Sequence, residues 1–204
     1  MESTKSSPQT LQDNSNSSGN SPNAQDNRGE NDFSLVHVED HHTRFMSEAI
    51  QEAIKNVTQN GGGPFGAVIV KDGEIVATGS NKVTIDCDPT AHGEVMAIRN
   101  ACKKLGVFDL SGYELYTSCE PCPMCLASCY WANIDKIYYS ATQTDAANYN
   151  FDDAFLYVEV AKPKSERTIP IVEINCKNKC EPFQCWEKKA DKATYGDNFE
   201  GKEQ

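Results

Sequence analysis

The chain has 204 residues, enough for one domain of ordinary size with tails, and a formal net charge of -11. So acidic a chain lacks the clustered Lys and Arg that phosphate backbones require, so no nucleic-acid partner is expected and a small substrate fits better. No apolar run approaches the roughly 20 residues of a membrane span, and the N-terminal stretch has neither a secretory apolar core nor a basic transit composition. No membrane partner is expected, and the expected setting is cytoplasmic.

Residues 1–39 read as a disordered low-complexity tail. Ser, Asn, Gln, Asp and Gly dominate up to residue 32, and no aromatic precedes Phe33. Such a stretch cannot bury enough apolar surface to offset the entropy of ordering it. The folded domain is expected over 40–195, with a polar extension over 196–204. Nine cysteines leave at least one unpaired, and without an export signal reduced thiols or metal ligands are expected rather than disulfides.

Apolar residues from Phe45 to Val57 recur at helical spacing, which predicts an amphipathic helix over 43–58, broken by the glycines before Pro64. The apolar runs 65–70 and 75–78 flank Asp72-Gly73, a hairpin signal. A helix is predicted over 93–105, a strand over 113–117 and a helix over 123–133 with Pro near its first position. A strand over 136–140, a helix over 153–161, a last strand over 169–174 and a last helix over 182–193 complete the pattern. One hairpin followed by alternating helices and strands predicts an α/β fold with a mixed, five-stranded sheet and helices on both faces.

Two segments carry chemistry: Thr90-Ala91-His92-Gly93-Glu94-Val95 and Pro121-Cys122-Pro123-Met124-Cys125. His92, Cys122 and Cys125 make three soft or borderline ligands that suit one zinc ion per chain. Three protein ligands leave the fourth tetrahedral position for water, the mark of a catalytic rather than a closed structural site. Each group opens a predicted helix, where free N–H groups favour thiolates. Glu94, two residues past His92, can move protons without ligating the metal. His-x-Glu together with Pro-Cys-x-x-Cys is a known signature of zinc nucleobase deaminases.

Two readings from another class compete. Cys119, Cys122, Cys125 and Cys129 follow the spacing of an iron–sulfur carrier, although Tyr130 replaces the proline expected after the last Cys. Alternatively, Cys176 and Cys180 would complete a structural zinc site with Cys122 and Cys125, which leaves His92 and Glu94 idle.

Residues from about 45 to 195 resemble the guanine deaminases of the cytidine deaminase-like superfamily. The resemblance is carried by Gly62-Gly63-Pro64-Phe65-Gly66, Asp88-Pro89-Thr90-Ala91-His92, Thr117-Ser118-Cys119-Glu120-Pro121-Cys122, Phe151-Asp152-Asp153 and Glu166-Arg167-Thr168-Ile169-Pro170. It implies a three-layer α/β/α cytidine deaminase-like fold, a homodimer that exchanges C-terminal segments, and zinc-dependent hydrolysis of guanine to xanthine and ammonia. Guanosine is the alternative substrate, and a tRNA adenosine deaminase shares the zinc signature. By motif, Glu94 relays protons, Asp153 is a second carboxylate near the 2-amino group, Asn81 binds the purine, Phe65 and Trp131 line the pocket, and Tyr195 closes it. Read from pattern alone, Asp152 and Asp153 equally suit capping of the following helix. Gly93 departs from the Ala usual between His and Glu.

Overall fold

The structure, a computed structural model, describes residues 33–195, with side chains from residue 41 onward. The rest of the expected tail, 1–32, and the extension over 196–204 lie outside the described residues. Helix α1 (Phe33–Lys55) begins within the segment assigned to the tail and ends in a π-helical turn, Asn56–Asn60. Strands β1 (Gly66–Lys71) and β2 (Glu74–Ser80) form the expected hairpin. Asp72 and Gly73 both have positive φ, 49° and 78°, the two left-handed residues of a tight hairpin turn.

A short helix, α2 (Val83–Asp86), leads to α3 (Gly93–Leu105), β3 (Glu114–Cys119), α4 (Pro123–Trp131) and β4 (Lys136–Ala141). The chain ends in α5 (Gln143–Ala147), α6 (Ala154–Ala161) and α7 (Glu181–Glu187). Helix α4 stops two residues early because Asn133 turns left-handed (φ 56°) and Ile134 N–H reaches back to Cys129 O at 3.0 Å.

The sheet has four strands among the described residues, in the order β2-β1-β3-β4, antiparallel except for the parallel β3–β4 pair. The expected fifth strand over 169–174 does not form. Ile169, Val172 and Ile174 are each about three-quarters exposed, and an extended segment without a ladder partner gains nothing from its β-branched residues. The last helix is likewise shorter than expected, since the Lys and Asp residues after Glu187 give it no face to bury.

Central strand β1 explains why its sequence is continuously apolar. Ala67 and Ile69 face one side, where they pack with Ala97 and Ala101 of α3 and Cys129 of α4. Val68 and Val70 face the other, against Phe45 and Ala49 of α1 and Tyr116 of β3. Both sheet faces are therefore covered, which makes three layers, α/β/α. Among the described residues no helix is long and apolar enough to cross a membrane.

Gly79 sets how closely α3 lies on the sheet. A Cβ there would stand 2.2 Å from Ala97 N and 2.4 Å from Gly93 O, both rigid helix backbone. Gly79→Ala is expected to destabilise the fold by roughly 3 kcal/mol, by forcing α3 outward, and chemical denaturation would measure it.

Candidate active site

The parallel strands β3 and β4 end at the same edge of the sheet, and there the N-termini of α3 and α4 converge. Ligands bind at this edge of α/β sheets because loops diverge and helix amides point outward there. His92 and Cys122 are the residues that precede α3 and α4, each with extended backbone. Pro123 occupies the first turn of α4, where its missing N–H costs nothing.

His92 Nδ1 lies 3.6 Å from Cys122 Sγ and 3.4 Å from Cys125 Sγ. A tetrahedral zinc with ordinary Zn–N and Zn–S bonds requires a nitrogen–sulfur separation of about 3.5 Å, so the donor set fits the metal. His92 is within hydrogen-bonding distance of both thiols, and the three groups shift one another's proton affinity. The Cys125 thiol and His92 hold Cys122 far below an ordinary thiol, at about 4, while Cys122 and burial push Cys125 up. His92 is raised, chiefly by its hydrogen bond with Cys122. Binding a cation among the three groups releases the protons they hold.

Glu94, on the first turn of α3, is 6% exposed, and the Cys125 thiol lies 3.3 Å from its Oε2. Burial raises its proton affinity above that of an ordinary carboxylate. Gly93 has a packing reason: a Cβ there would stand 3.2 Å from Phe65 O, tighter than usual contact.

A cavity of about 340 Å³ opens over these groups. Of the residues expected from sequence, Phe65, Asn81, His92, Glu94, Cys122 and Asp153 line it. Phe65 meets Phe151 edge-on, with ring centroids 5.0 Å apart, forming an aromatic corner. Asn81 is buried, and its Oδ1 accepts from Val83 N–H at 3.2 Å. Buried Asn56 holds two walls together by donating to Gly63 O at 2.8 Å and Asn81 O at 2.7 Å.

Asp153 does not cap α6. Asp152 Oδ1 accepts from Ala154 N–H at 2.9 Å, whereas Asp153 Oδ1 accepts from Gln143 Nε2 at 2.8 Å. Gln143 and Phe151 also line the cavity; Phe151 belongs to a segment that carries the family resemblance, but neither residue was assigned to the site from sequence. The Thr142-x-x-Asp145 capping box could have located α5, but nothing in the pattern marks Gln143.

Two expected residues stand elsewhere in the single chain. Trp131 is 61% exposed at the far end of α4, roughly 13 Å of helix from its N-terminus. Tyr195 is 66% exposed and meets Trp186 and Phe108 edge-on at 6.2 and 6.5 Å. Phe108 follows the C-terminus of α3, roughly 20 Å of helix from His92.

The competing cysteine readings fail on geometry. Among the described residues one group offers three convergent metal donors, His92, Cys122 and Cys125. Cys129 is packed in the core beside Ile69, and Cys176 and Cys180 are exposed.

The donor residues lie in a region shared with known proteins. The cytidine and deoxycytidylate deaminase zinc-binding region matches residues 39–141. Guanine deaminase of Bacillus subtilis is 52% identical over 154 residues, spanning 76% of this chain and 99% of the relative. The X-ray structure of guanine deaminase from Bacillus subtilis superposes with a TM-score of 0.73 at 52% identity, covering 76% of this chain and 99% of that one. A tRNA-specific adenosine deaminase of Aquifex aeolicus is 43% identical over 97 residues, 48% of this chain and 64% of the relative. The 154 residues aligned to guanine deaminase exceed both the matched zinc-binding region and the 97 residues aligned to this tRNA enzyme. This chain therefore belongs to the family of the cytidine and deoxycytidylate deaminase zinc-binding region, within its guanine deaminase group, and it is a zinc-dependent hydrolytic deaminase.

Proposed function

We propose that this chain hydrolyses guanine to xanthine and ammonia, a step of purine catabolism, as a cytoplasmic homodimer. The observation that carries the reading is one cavity lined by His92 and Cys122 of the three convergent zinc donors, the buried Glu94, a second carboxylate, Asp153, and the Phe65–Phe151 corner, with the third donor, Cys125, buried behind it. His92, Cys122 and Cys125 would hold the zinc, which when bound supplies Lewis-acid activation of water.

The protein's own groups do the rest. Phe65 and Phe151 offer the purine an apolar corner, one ring toward its face and the other toward its edge, and keep bulk water out. Asn81, with its oxygen engaged by Val83 N–H, offers its amide N–H to the ring. Asp153 accepts from the 2-amino group and orients C2. Glu94 accepts one proton of the attacking water at Oε2 and delivers it to ring nitrogen N3, then takes the proton of the hydroxyl now on C2 and hands it to the departing amine as the C2–N bond breaks. A buried carboxylate with raised proton affinity suits both directions of transfer.

The assay offers the zinc-loaded protein guanine, guanosine, adenine, cytosine and a tRNA anticodon stem–loop, and follows ammonia. Guanine should give stoichiometric xanthine. Release from guanosine instead would move the substrate to the nucleoside, and release from none would overturn the assignment.

The C-terminal segment supports a dimer. Ile169, Val172, Ile174 and Phe183 are each 74–77% exposed on the single chain, an apolar surface that a second copy would cover. Exchange of these segments would let Tyr195 of one copy close the site of the other, which its own chain's α3 separates it from. All nine cysteines are free, in keeping with a reducing cytoplasm. Mixing inactive Glu94→Gln subunits with Tyr195→Ala subunits should then restore activity, because one site of the hybrid keeps both residues. Strictly additive activity of the two variants would exclude closure in trans.

A further inference from the structure

We infer that Gln143 is the positioning residue of Asp153: its side-chain amide aims that carboxylate while its backbone ties the Asp153 loop to the metal-ligand loop. The inference rests on the proposed role of Asp153 toward the exocyclic amine.

Asp153 needs such a device. It ends an irregular stretch after α5, and the N-terminal amide of α6 is taken by Asp152 rather than by Asp153. A carboxylate on a loop, with no helix cap to hold it, samples several rotamers unless something fixes it. Gln143 Nε2 donates to Asp153 Oδ1 at 2.8 Å, a charge-assisted bond. An ionised carboxylate has about four acceptor positions, so one amide donor fixes its orientation and leaves capacity for a substrate amine. A neutral amide also does this without an opposing charge that would compete for the carboxylate.

Gln143 is itself held on two sides. It is the first residue of α5, whose start is fixed by a reciprocal cap: Thr142 Oγ1 accepts from Asp145 N–H at 3.1 Å, and Thr142 N–H donates to Asp145 Oδ2 at 2.8 Å. The Gln143 N–H is a first-turn amide with no partner inside the helix, and Glu120 Oε2 accepts it at 3.0 Å. Glu120 N–H in turn donates to Ala141 O at 2.9 Å. Glu120 stands two residues before the ligand Cys122. One short helix thus couples the Cys122 loop to the carboxylate opposite it.

The test compares steady-state kinetics on guanine, zinc content and thermal midpoint for Gln143→Met, Gln143→Glu, Asp153→Asn and the double variant Gln143→Met with Asp153→Asn. Gln143→Met keeps the length and removes the donor. It should lower kcat about 10- to 100-fold with KM within about threefold and zinc retained, since a small misplacement of a reacting group costs that much. Gln143→Glu has the same size but sets a second carboxylate against Asp153, and should cost more. The double variant should be no slower than Asp153→Asn alone, because the amide acts only through that carboxylate. Wild-type kcat in Gln143→Met beside an impaired Asp153→Asn would overturn the positioning role alone, as would additive losses or loss of zinc. Wild-type kcat in Asp153→Asn would remove the role of Asp153 and this inference with it.

Discussion

Replacing Glu94 by Gln is expected to lower kcat on guanine by about 10³-fold or more while zinc stays bound at about one per chain. The substitution is isosteric, and Glu94 is not one of the three convergent metal donors. What it removes is proton transfer: an amide can donate and accept a hydrogen bond but cannot carry a proton from water to a leaving amine. Stability should not suffer. The carboxylate is almost fully buried, with burial as the main influence on its proton affinity, so a neutral group there spares the fold the cost of a buried charge. Kinetics, metal analysis and thermal melting on one preparation check all three statements. A kcat within about tenfold of wild type would take Glu94 out of the proton relay.

Cys122→Ala is expected to fail differently, through the metal. Two donors, His92 and Cys125, remain, and two ligands do not hold zinc against water and buffer. Activity should fall to background, and added zinc should not restore it. The loss should also appear in stability, since a ligand that binds only the folded state adds about 4 kcal/mol when present at a thousandfold excess over its dissociation constant. Wild-type protein stripped by a chelator should melt where zinc-free Cys122→Ala melts, and only the wild type should recover both melting point and activity on adding zinc. Retention of one zinc by Cys122→Ala would show that another group ligates the ion.

Much of this was legible in the chain because local chemistry dictates it. The buried run of β1 had to be central, since both sheet faces need apolar residues from it. Asp72-Gly73 had to be the hairpin turn, since both residues must accept positive φ. The ligand trio with Glu94 followed from spacing at two helix starts. Patterns that depend on a partner misled. The β-branched residues of 169–174 suggested a strand, but a ladder needs a partner, and among the described residues this segment pairs with neither edge strand of the sheet. Asp152 and Asp153 looked alike as capping residues, and only their three-dimensional setting separated the cap from the carboxylate that faces the cavity.

Composition and spacing by themselves thus determined the α/β class and the convergence of His92, Cys122 and Cys125 with Glu94 beside them, because backbone preferences, metal softness and helix termini act over a few residues. Tertiary structure alone decided that the sheet has four strands, that Gln143 meets Asp153 across ten positions of chain, that Phe151 completes the aromatic corner, and that Tyr195 stands at the wrong end of α3 to reach its own site. Those facts depend on which distant segments pack together, and packing is settled by the burial of the whole chain rather than by any stretch of it.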